Sequence, residues 1–365
     1  MRSPEASRAV FDQTLLMLVV GLILFGLVML SSASSPVGYE NFGDGYYFVK
    51  HQIFFGLVPG IIGLIFFLRF PYNRMKRHAF TLFVISVVLL LLVFIPGIGS
   101  EFGSSNSWIS IGGLFSVQPA EIVKLTFLFY LAAWLEKKSE LVPFLIALGS
   151  VLFLIMLQPD LGTTTIITAM AFAVYFVAGA PVMHLLWLGL AGLGGLGFLI
   201  AIAPYRAARF TTFLHPELDP QGIGYHINQA LLAIGSGGIL GLGYGQSRQK
   251  FEYLPEVAGD SIFAVIAEEM GFVISVLLVL AFAYLFWRGV KIAKGAPDAF
   301  GRYVATGIVV WITLQAFINI GSMTSIMPMT GTTLPFVSYG GTSLAVTMSA
   351  IGVLLNISKS VKTDA

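Results

Sequence analysis

Long apolar runs recur along almost the whole chain. A helix needs about 20 apolar residues to cross the roughly 30 Å hydrocarbon core of a bilayer. The ten runs of suitable length lie near residues 11–32, 49–70, 79–97, 118–135, 142–158, 163–180, 183–203, 261–287, 303–325 and 343–357. The first run has no small-residue cleavage pattern and is followed by further apolar sequence, so it is not a signal peptide. The pattern predicts an all-α membrane protein, a polytopic bundle of ten transmembrane helices.

The composition excludes several classes of protein. Of the 365 residues, 57% are hydrophobic and 10% are charged, whereas soluble domains average about 25% charged residues. A cytosolic enzyme and a disordered chain are therefore both excluded. The net charge is +2 and no basic tract is present, so no nucleic-acid partner is expected. The chain has no cysteine, which removes disulfides, thiol catalysis and cysteine-based metal sites.

The distribution of basic residues predicts the orientation of the chain. Fourteen of the 20 Lys and Arg residues fall on one side of the membrane if the N-terminus is cytoplasmic, as the positive-inside rule requires. Both termini are then cytoplasmic, and residues 204–260 form a large extracytoplasmic loop between spans seven and eight. Long structured loops are often functional. We therefore expect a single domain, 1–365, whose loop 204–260 carries much of the active site.

Four ionisable residues lie within predicted spans, where an unpaired charge is costly. Glu121 and Lys124 are three residues apart on one helical face, which fits a structural ion pair. It also fits a polar cavity open to the outer face, in which Lys124 meets an anionic ligand. Glu268 and Glu269 cannot face the same direction on a helix, so at least one of them is expected to cap, pair or pack internally.

Two aspartates stand immediately before apolar segments. Asp160 follows Gln158-Pro159 and is expected to cap the next helix, which does not prevent it from lining a cavity. Asp260 precedes Ser261 and the eighth span. It is either another helix cap or a carboxylate at the water–lipid boundary that accepts a proton from a sugar hydroxyl. The sequence leaves both interpretations open.

Basic residues on the predicted outer side oppose the positive-inside bias, which indicates that they meet something anionic. Arginine suits bidentate contact with phosphate. These residues are Arg206, Arg209, Arg248 and Lys250. No residue is assigned as a metal ligand.

Four motifs, in order along the chain, closely resemble the SEDS family (shape, elongation, division and sporulation), whose main members are FtsW and RodA. They read FSVQPAEIVKL at 115–125, QPDLGT at 158–163, YLPEVAGDSIFAVIAEE at 253–269 and TLPFVSYGGTS at 333–343. The resemblance covers essentially the whole chain. Residues 249–256 and 332–336 are more similar to FtsW, the division type, than to RodA.

The resemblance implies a peptidoglycan glycosyltransferase in the cytoplasmic membrane. Such an enzyme polymerises lipid II at the outer face, adds it to a lipid-linked glycan strand through a β-1,4 bond, and releases undecaprenyl pyrophosphate. The implied partners are a class B penicillin-binding transpeptidase and other membrane proteins of the divisome or elongasome. A divalent cation, Mg²⁺ or Mn²⁺, is compatible with the family but is not implied by any ligand set.

The resemblance also implies roles for individual residues. Asp260 matches the essential aspartate of the family and is expected to be the general base on the acceptor 4-hydroxyl. The substrate-binding set comprises Gln118, Glu121, Lys124, Asp160, Arg206, Arg209, Arg248, Lys250, Glu252, Glu256 and Ser338. The basic members are expected at the pyrophosphate, and Glu121, Glu252 and Glu256 are expected to tune or hold the site.

The sequence departs from the family pattern at two places. Ala258-Gly259 stand where the family usually has His-Thr before the aspartate, and residues 104–107 lack the arginine that relatives often carry before Trp108. The alternatives to a division-type polymerase are a RodA-type elongation polymerase, a lipid II flippase or transporter, and a scaffold. Ionisable groups within spans also suit a translocation path, although no internal repeat is detected.

Overall fold

The computed structural model describes residues 11–97, 99–102, 105–111, 115–137, 140–202, 211–215, 218–219, 221–251 and 253–361. Its helices are α1 Gln13–Ala33, α2 Ser35–Phe42, α3 Tyr47–Gln52, α4 Val58–Arg69, α5 Tyr72–Leu92, α6 Pro119–Leu135, α7 Leu141–Leu157, α8 Leu161–Val177, α9 Val182–Ile202, α10 Ile223–Ser236, α11 Ile262–Gly295, α12 Ala299–Met323 and α13 Gly341–Ser358. A π-helical segment, Ile53–Leu57, joins α3 to α4. The strands are β1 Gly99–Phe102, β2 Ser105–Ile111 and β3 Phe115–Val117.

The helices identify a multi-pass membrane protein. Six segments of the described chain are long and apolar enough to cross a bilayer: Gln13–Ala33, Tyr47–Arg69, Tyr72–Leu92, Ile262–Gly295, Ala299–Met323 and Gly341–Ser358. A helix also lies at each of the other predicted spans, but α6, α7 and α8 have only 17 residues each. The total of ten spans therefore stays a prediction.

A small β-sheet corrects the prediction of an all-α fold. The strands form an antiparallel sheet in the order β1-β2-β3, with Ile109 opposite both Gly99 and Val117. The sheet lies between α5 and α6, and the predicted span 79–97 in fact runs from Tyr72 to Leu92. The three strands were not predicted, because the prediction rests on apolar runs of about 20 residues. The alternation of apolar and polar residues in a short strand is not detected on that scale.

Helix α12 is the central element of the bundle. It is buried on nearly every side and packs against α6, α8, α11 and α13, as expected for a helix that is apolar all round. Helix α13 lies very close to α4. A Cβ atom on Gly352 would come within 2.5 Å of the main-chain oxygen of Leu64, so a small residue is needed at this crossing.

Helix α11 is interrupted at Gly271, which has φ 76° and ψ −176°, a region that essentially only glycine occupies. The main-chain groups freed by this break pair with the glycine-rich segment 237–245. The oxygens of Glu268 and Glu269 accept hydrogen bonds of 3.0 and 2.9 Å from it, and the N–H of Phe272 donates one of 2.9 Å to it. The break therefore attaches the segment after α10 to α11.

Candidate active site

Asp260 lies in the turn formed by residues 255–261, immediately before α11. The N-cap residue of α11 is Ser261, whose side chain makes no capping hydrogen bond. Asp260 is therefore not the N-cap residue itself, which argues against the first of the two interpretations left open by the sequence. The side chain is half-buried. Burial, followed by the nearby negative charge of Glu256, raises the pKa of Asp260 to about 7.

The 255–261 turn is held by main-chain hydrogen bonds. Glu256 adopts a left-handed conformation with φ 50°, and its oxygen accepts bonds of 2.9 Å from Gly259 and 3.2 Å from Ser261. The oxygen of Ala258 accepts a 2.8 Å bond from the N–H of Tyr339. These contacts keep Glu256 and Asp260 on one short turn that rests against the segment preceding α13.

Lys124 forms a buried ion pair within the bundle. Its Nζ lies 2.8 Å from Glu121 Oε1 and 2.8 Å from Gln315 Oε1, and 4.8 Å from the centre of the Trp311 ring. The residue has no exposed surface. Glu121 Oε2 is buried without a hydrogen-bond partner among the described residues. The structure thus shows the structural ion pair that the spacing of Glu121 and Lys124 predicts, and it uses only one of the two carboxylate oxygens of Glu121.

Asp160 caps α8 and belongs to the same electrostatic group. Its Oδ1 accepts a 2.8 Å hydrogen bond from the N–H of Thr163, so the predicted helix cap is confirmed. Burial raises the pKa of Asp160, while the charge of Lys124 lowers it and that of Glu121 raises it. The aspartate therefore lies within electrostatic reach of the buried pair.

Two amides on α12 connect these groups. Gln315 accepts from Lys124 and donates a 3.0 Å bond to the oxygen of Thr333. Asn319, one helical turn later, donates bonds of 2.8 Å to the oxygen of Asp260 and 2.7 Å to that of Thr332. Sequence reasoning missed both residues. The available signal was an amide inside an apolar span, where its polar atoms need partners.

Lys250 is not available as the predicted pyrophosphate ligand. Its Nζ donates bonds of 2.8 Å to Glu269 Oε1, 2.9 Å to Ser32 Oγ and 2.9 Å to the oxygen of Gly245. The side chain is buried, and the three donors of the ammonium group are all used. Lys250 therefore joins α1, α11 and the segment before it, and its predicted role is corrected to a structural one.

Glu268 holds the main chain next to an exposed cation. Its carboxylate accepts bonds of 2.5 Å from Ser247 Oγ and 2.9 Å from the N–H of Arg248. The side chain of Arg248 is exposed. Glu268 and Glu269 both bind the segment that carries Arg248 and Lys250: they share Ser247, which donates through its hydroxyl to Glu268 and through its N–H to Glu269.

The remaining predicted site residues are placed as follows. Gln118 is half-buried just before α6, and its N–H donates a 3.3 Å bond to Thr342 Oγ1. Ser338 is buried, and its hydroxyl accepts a 2.8 Å bond from the N–H of Leu334, so Ser338 stabilises the turn before α13. Arg206, Arg209 and Glu252 lie outside the described residues.

The described part of the chain offers no ready site for a metal. Within it, no group of three or more His, Asp and Glu side chains could hold an ion.

The geometry can be compared with known proteins. The sequence matches the model of the FtsW, RodA and SpoVE cell cycle proteins over residues 13–363. Stage V sporulation protein E of Bacillus subtilis is 44% identical over 356 residues, which cover 95% of this chain and 97% of that protein. The probable peptidoglycan glycosyltransferase FtsW of Trichlorobacter lovleyi is 39% identical over 362 residues, which cover 97% of this chain and 94% of that protein.

Solved structures show the same fold. A chain of a peptidoglycan synthase complex that coordinates polymerization and crosslinking is 29% identical and superposes with a TM-score of 0.81, covering 97% of this chain and 99% of that chain. Rod shape determining protein RodA of Thermus thermophilus is 28% identical, with a TM-score of 0.70 and coverage of 97% and 98%. The resemblance seen in the motifs is confirmed, and this chain belongs to the FtsW/RodA/SpoVE family of cell cycle proteins.

Proposed function

We propose that this chain is a peptidoglycan glycosyltransferase that polymerises lipid II at the outer face of the cytoplasmic membrane. The FtsW relatives named as probable peptidoglycan glycosyltransferases support this activity. The observation that carries the proposal is Asp260: a half-buried carboxylate, just before the N-cap residue of α11, whose pKa is raised to about 7.

Asp260 is the general base of this reaction. It accepts the proton of the acceptor 4-hydroxyl while that oxygen attacks the anomeric carbon of the lipid-linked strand. The bond from the anomeric carbon to the pyrophosphate breaks, a β-1,4 bond forms, and undecaprenyl pyrophosphate leaves. A base whose pKa lies near the working pH combines adequate ionisation with adequate basicity, and positioned bases contribute about 10²–10⁴-fold to rates.

The leaving pyrophosphate needs positive charge. Among the residues that the structure describes, Arg248 is the candidate for direct contact with the pyrophosphate. Its side chain is exposed, and Glu268 holds its main chain in place. Arginine binds phosphate oxygens through two parallel hydrogen bonds. Lys124 is buried and forms an ion pair with Glu121, so it acts on the site through its charge, which also lowers the pKa of Asp160. Arg206, Arg209 and Glu252 remain predicted members of the same site, together with Gln118.

The proposed topology has ten spans, both termini in the cytoplasm, and segment 204–260 outside the cell, within a single domain. The asymmetric distribution of Lys and Arg supports this orientation. With this orientation, the 255–261 turn and Arg248 are expected on the outer side, where lipid II would present its sugars.

We further propose a role in septal wall synthesis together with a class B penicillin-binding transpeptidase. The FtsW-like motifs and relatives support the first part, and the similarity to a chain of a peptidoglycan synthase complex supports the second. A RodA-type elongation role is the alternative within the family.

Reconstitution in liposomes tests the activity. The protein is inserted with its transpeptidase partner, and lipid II is supplied only to the leaflet that contacts the 255–261 turn. The proposal predicts glycan polymer under this condition and none from liposomes that hold the partner alone. Polymer that appears only when lipid II is supplied to the opposite leaflet would instead favour the flippase or transporter interpretation.

A further inference from the structure

An imidazole from α10 contacts the residue next to Asp260. His226 Nε2 lies 2.6 Å from the hydroxyl oxygen of Ser261. The same hydroxyl lies 2.7 Å from the main-chain oxygen of Pro255 and 3.5 Å from Asp260 Oδ1. Ser261 is fully buried. His226, which lies outside the turn, thus connects α10 to both ends of the 255–261 turn through the hydroxyl of Ser261.

The chemistry of the hydroxyl sets the direction of these bonds. A serine hydroxyl has one proton, and the oxygen of Pro255 can only accept. Ser261 therefore donates to Pro255, and its oxygen accepts from the Nε2–H of His226. Burial lowers the pKa of His226 to about 4, so the imidazole is neutral at pH 7 and carries its proton on Nε2.

The side chains just before Asp260 add no hydrogen bond to the main-chain bonds of the turn. They are Ala258 and Gly259, neither of which can donate one, and glycine has more conformational freedom than any other residue. The imidazole of His226 therefore supplies a side-chain contact that residues 258 and 259 do not.

We propose that His226 is a positioning residue for Asp260: by donating to Ser261, it closes the 255–261 turn and holds the carboxylate in its half-buried position. The catalytic meaning of this contact rests on the proposed function, whereas the contact itself does not.

Other groups around Asp260 also titrate and must be considered. Glu256 lies on the same turn, and Tyr339 is hydrogen-bonded to Ala258 through its main chain. The phenol of Tyr339 bonds to His51 Nδ1 at 2.9 Å, and burial raises its pKa to about 12. The contact from α12, the amide of Asn319, is uncharged.

Kinetics on four full-length proteins, each with the transpeptidase partner, test the positioning role. They are the wild type, His226→Ala, His226→Gln and the control Asn228→Ala, an exposed position on the same helix. We expect kcat for lipid II polymerisation to fall about ten- to a hundredfold in His226→Ala with KM changed less than about twofold, since small misplacements of a reacting group have effects of this size. His226→Gln keeps an N–H donor and should stay within about threefold of wild type.

An infrared titration gives a readout that does not depend on turnover. The carboxyl signal of Asp260 is isolated by subtracting spectra of the matching Asp260→Asn protein at each pH. We expect a midpoint near 7 in wild type, His226→Gln and Asn228→Ala, and a lower midpoint in His226→Ala and in His226→Leu, because the loosened turn admits water. His226→Leu removes the donor but fills most of the space of the ring, and it provides the result if His226→Ala does not fold.

An unchanged midpoint in both His226→Ala and His226→Leu would overturn the positioning role. Failure of the proposed function looks different: Asp260→Asn would polymerise lipid II normally, while the midpoint would still respond to His226.

Discussion

Asn319 and Asp260 are joined by a 2.8 Å hydrogen bond from the side-chain amide of Asn319 to the main-chain oxygen of Asp260. The same amide nitrogen donates to Thr332. Gln315, one turn earlier on α12, accepts from buried Lys124. The central helix of the bundle therefore supports both Asp260, the proposed general base, and the buried ion pair, although neither group belongs to it.

Replacing Asn319 with leucine should reduce both stability and activity. The change leaves two buried carbonyl oxygens without donors, which costs about 1–3 kcal/mol for each unsatisfied group in general and less where membrane proteins find new partners. Thermal unfolding and lipid II polymerisation measure the two effects. Thr313→Val is the matched control on the same helix, because the hydroxyl of Thr313 is buried without a partner among the described residues. Equal melting temperatures and equal polymerisation rates in Asn319→Leu and Thr313→Val would contradict the supporting role of Asn319.

A double-mutant cycle separates the structural and functional roles of the buried ion pair. Lys124→Met and Glu121→Gln should each destabilise the protein, by about 3–5 kcal/mol for the removal of one partner of a buried pair. The double variant should recover much of this loss, because no uncompensated charge remains. Polymerisation should stay low in all three proteins. A double variant with normal activity would show that the pair is structural only.

The acid side of the pH–rate profile should depend on Glu256. Its negative charge helps to raise the pKa of Asp260 to about 7, and a general base acts when ionised. The polymerisation rate should therefore rise as the pH increases through about 7. Glu256→Gln removes the neighbouring charge, so this rise should move to lower pH. Glu40→Gln, at an exposed position on α2, controls for the loss of one carboxylate. If the rate rises at the same pH in wild type, Glu256→Gln and Glu40→Gln, Glu256 does not influence the ionisation of Asp260.

Gly271→Ala should loosen the attachment of segment 237–245 to α11. A Cβ atom at this position would lie 2.2 Å from the main-chain nitrogen of Gly241, and φ is +76°. Backbone strain of this kind costs about 1–3 kcal/mol, before the steric clash is counted. Hydrogen exchange in 237–245 should accelerate and the melting temperature should fall. In Gly21→Ala the new Cβ meets no atom within 4 Å, so this control should melt like wild type or slightly higher.

The sequence is sufficient to predict the helical bundle and its buried polar group, for separable physical reasons. Apolar runs of spanning length report directly on helices in lipid, and a helix lies at each of the ten predicted segments. Ionisable residues in those runs need partners, which identifies Glu121 and Lys124 as a buried polar group. Asp160 could be predicted as a cap from its place before an apolar run.

Contacts between distant segments could not be predicted in this way. The sequence shows that Lys250 is basic and predicts that it lies on the outer side, but it does not show that Ser32 and Glu269 surround its ammonium group. The break at Gly271 is hidden within one long apolar run. His226 resembles any histidine on an amphipathic helix until the fold brings Ser261 to 2.6 Å from it.

The most direct test of the account compares wild type and Asp260→Asn in lipid II polymerisation, each purified with the transpeptidase partner. The account predicts a loss of at least about 10²-fold, the lower range for a positioned base. Asp260→Asn should melt at the same temperature as wild type or higher above pH 7, since burial disfavours the ionised carboxylate that the change removes. Near-normal polymer from folded Asp260→Asn would contradict the account.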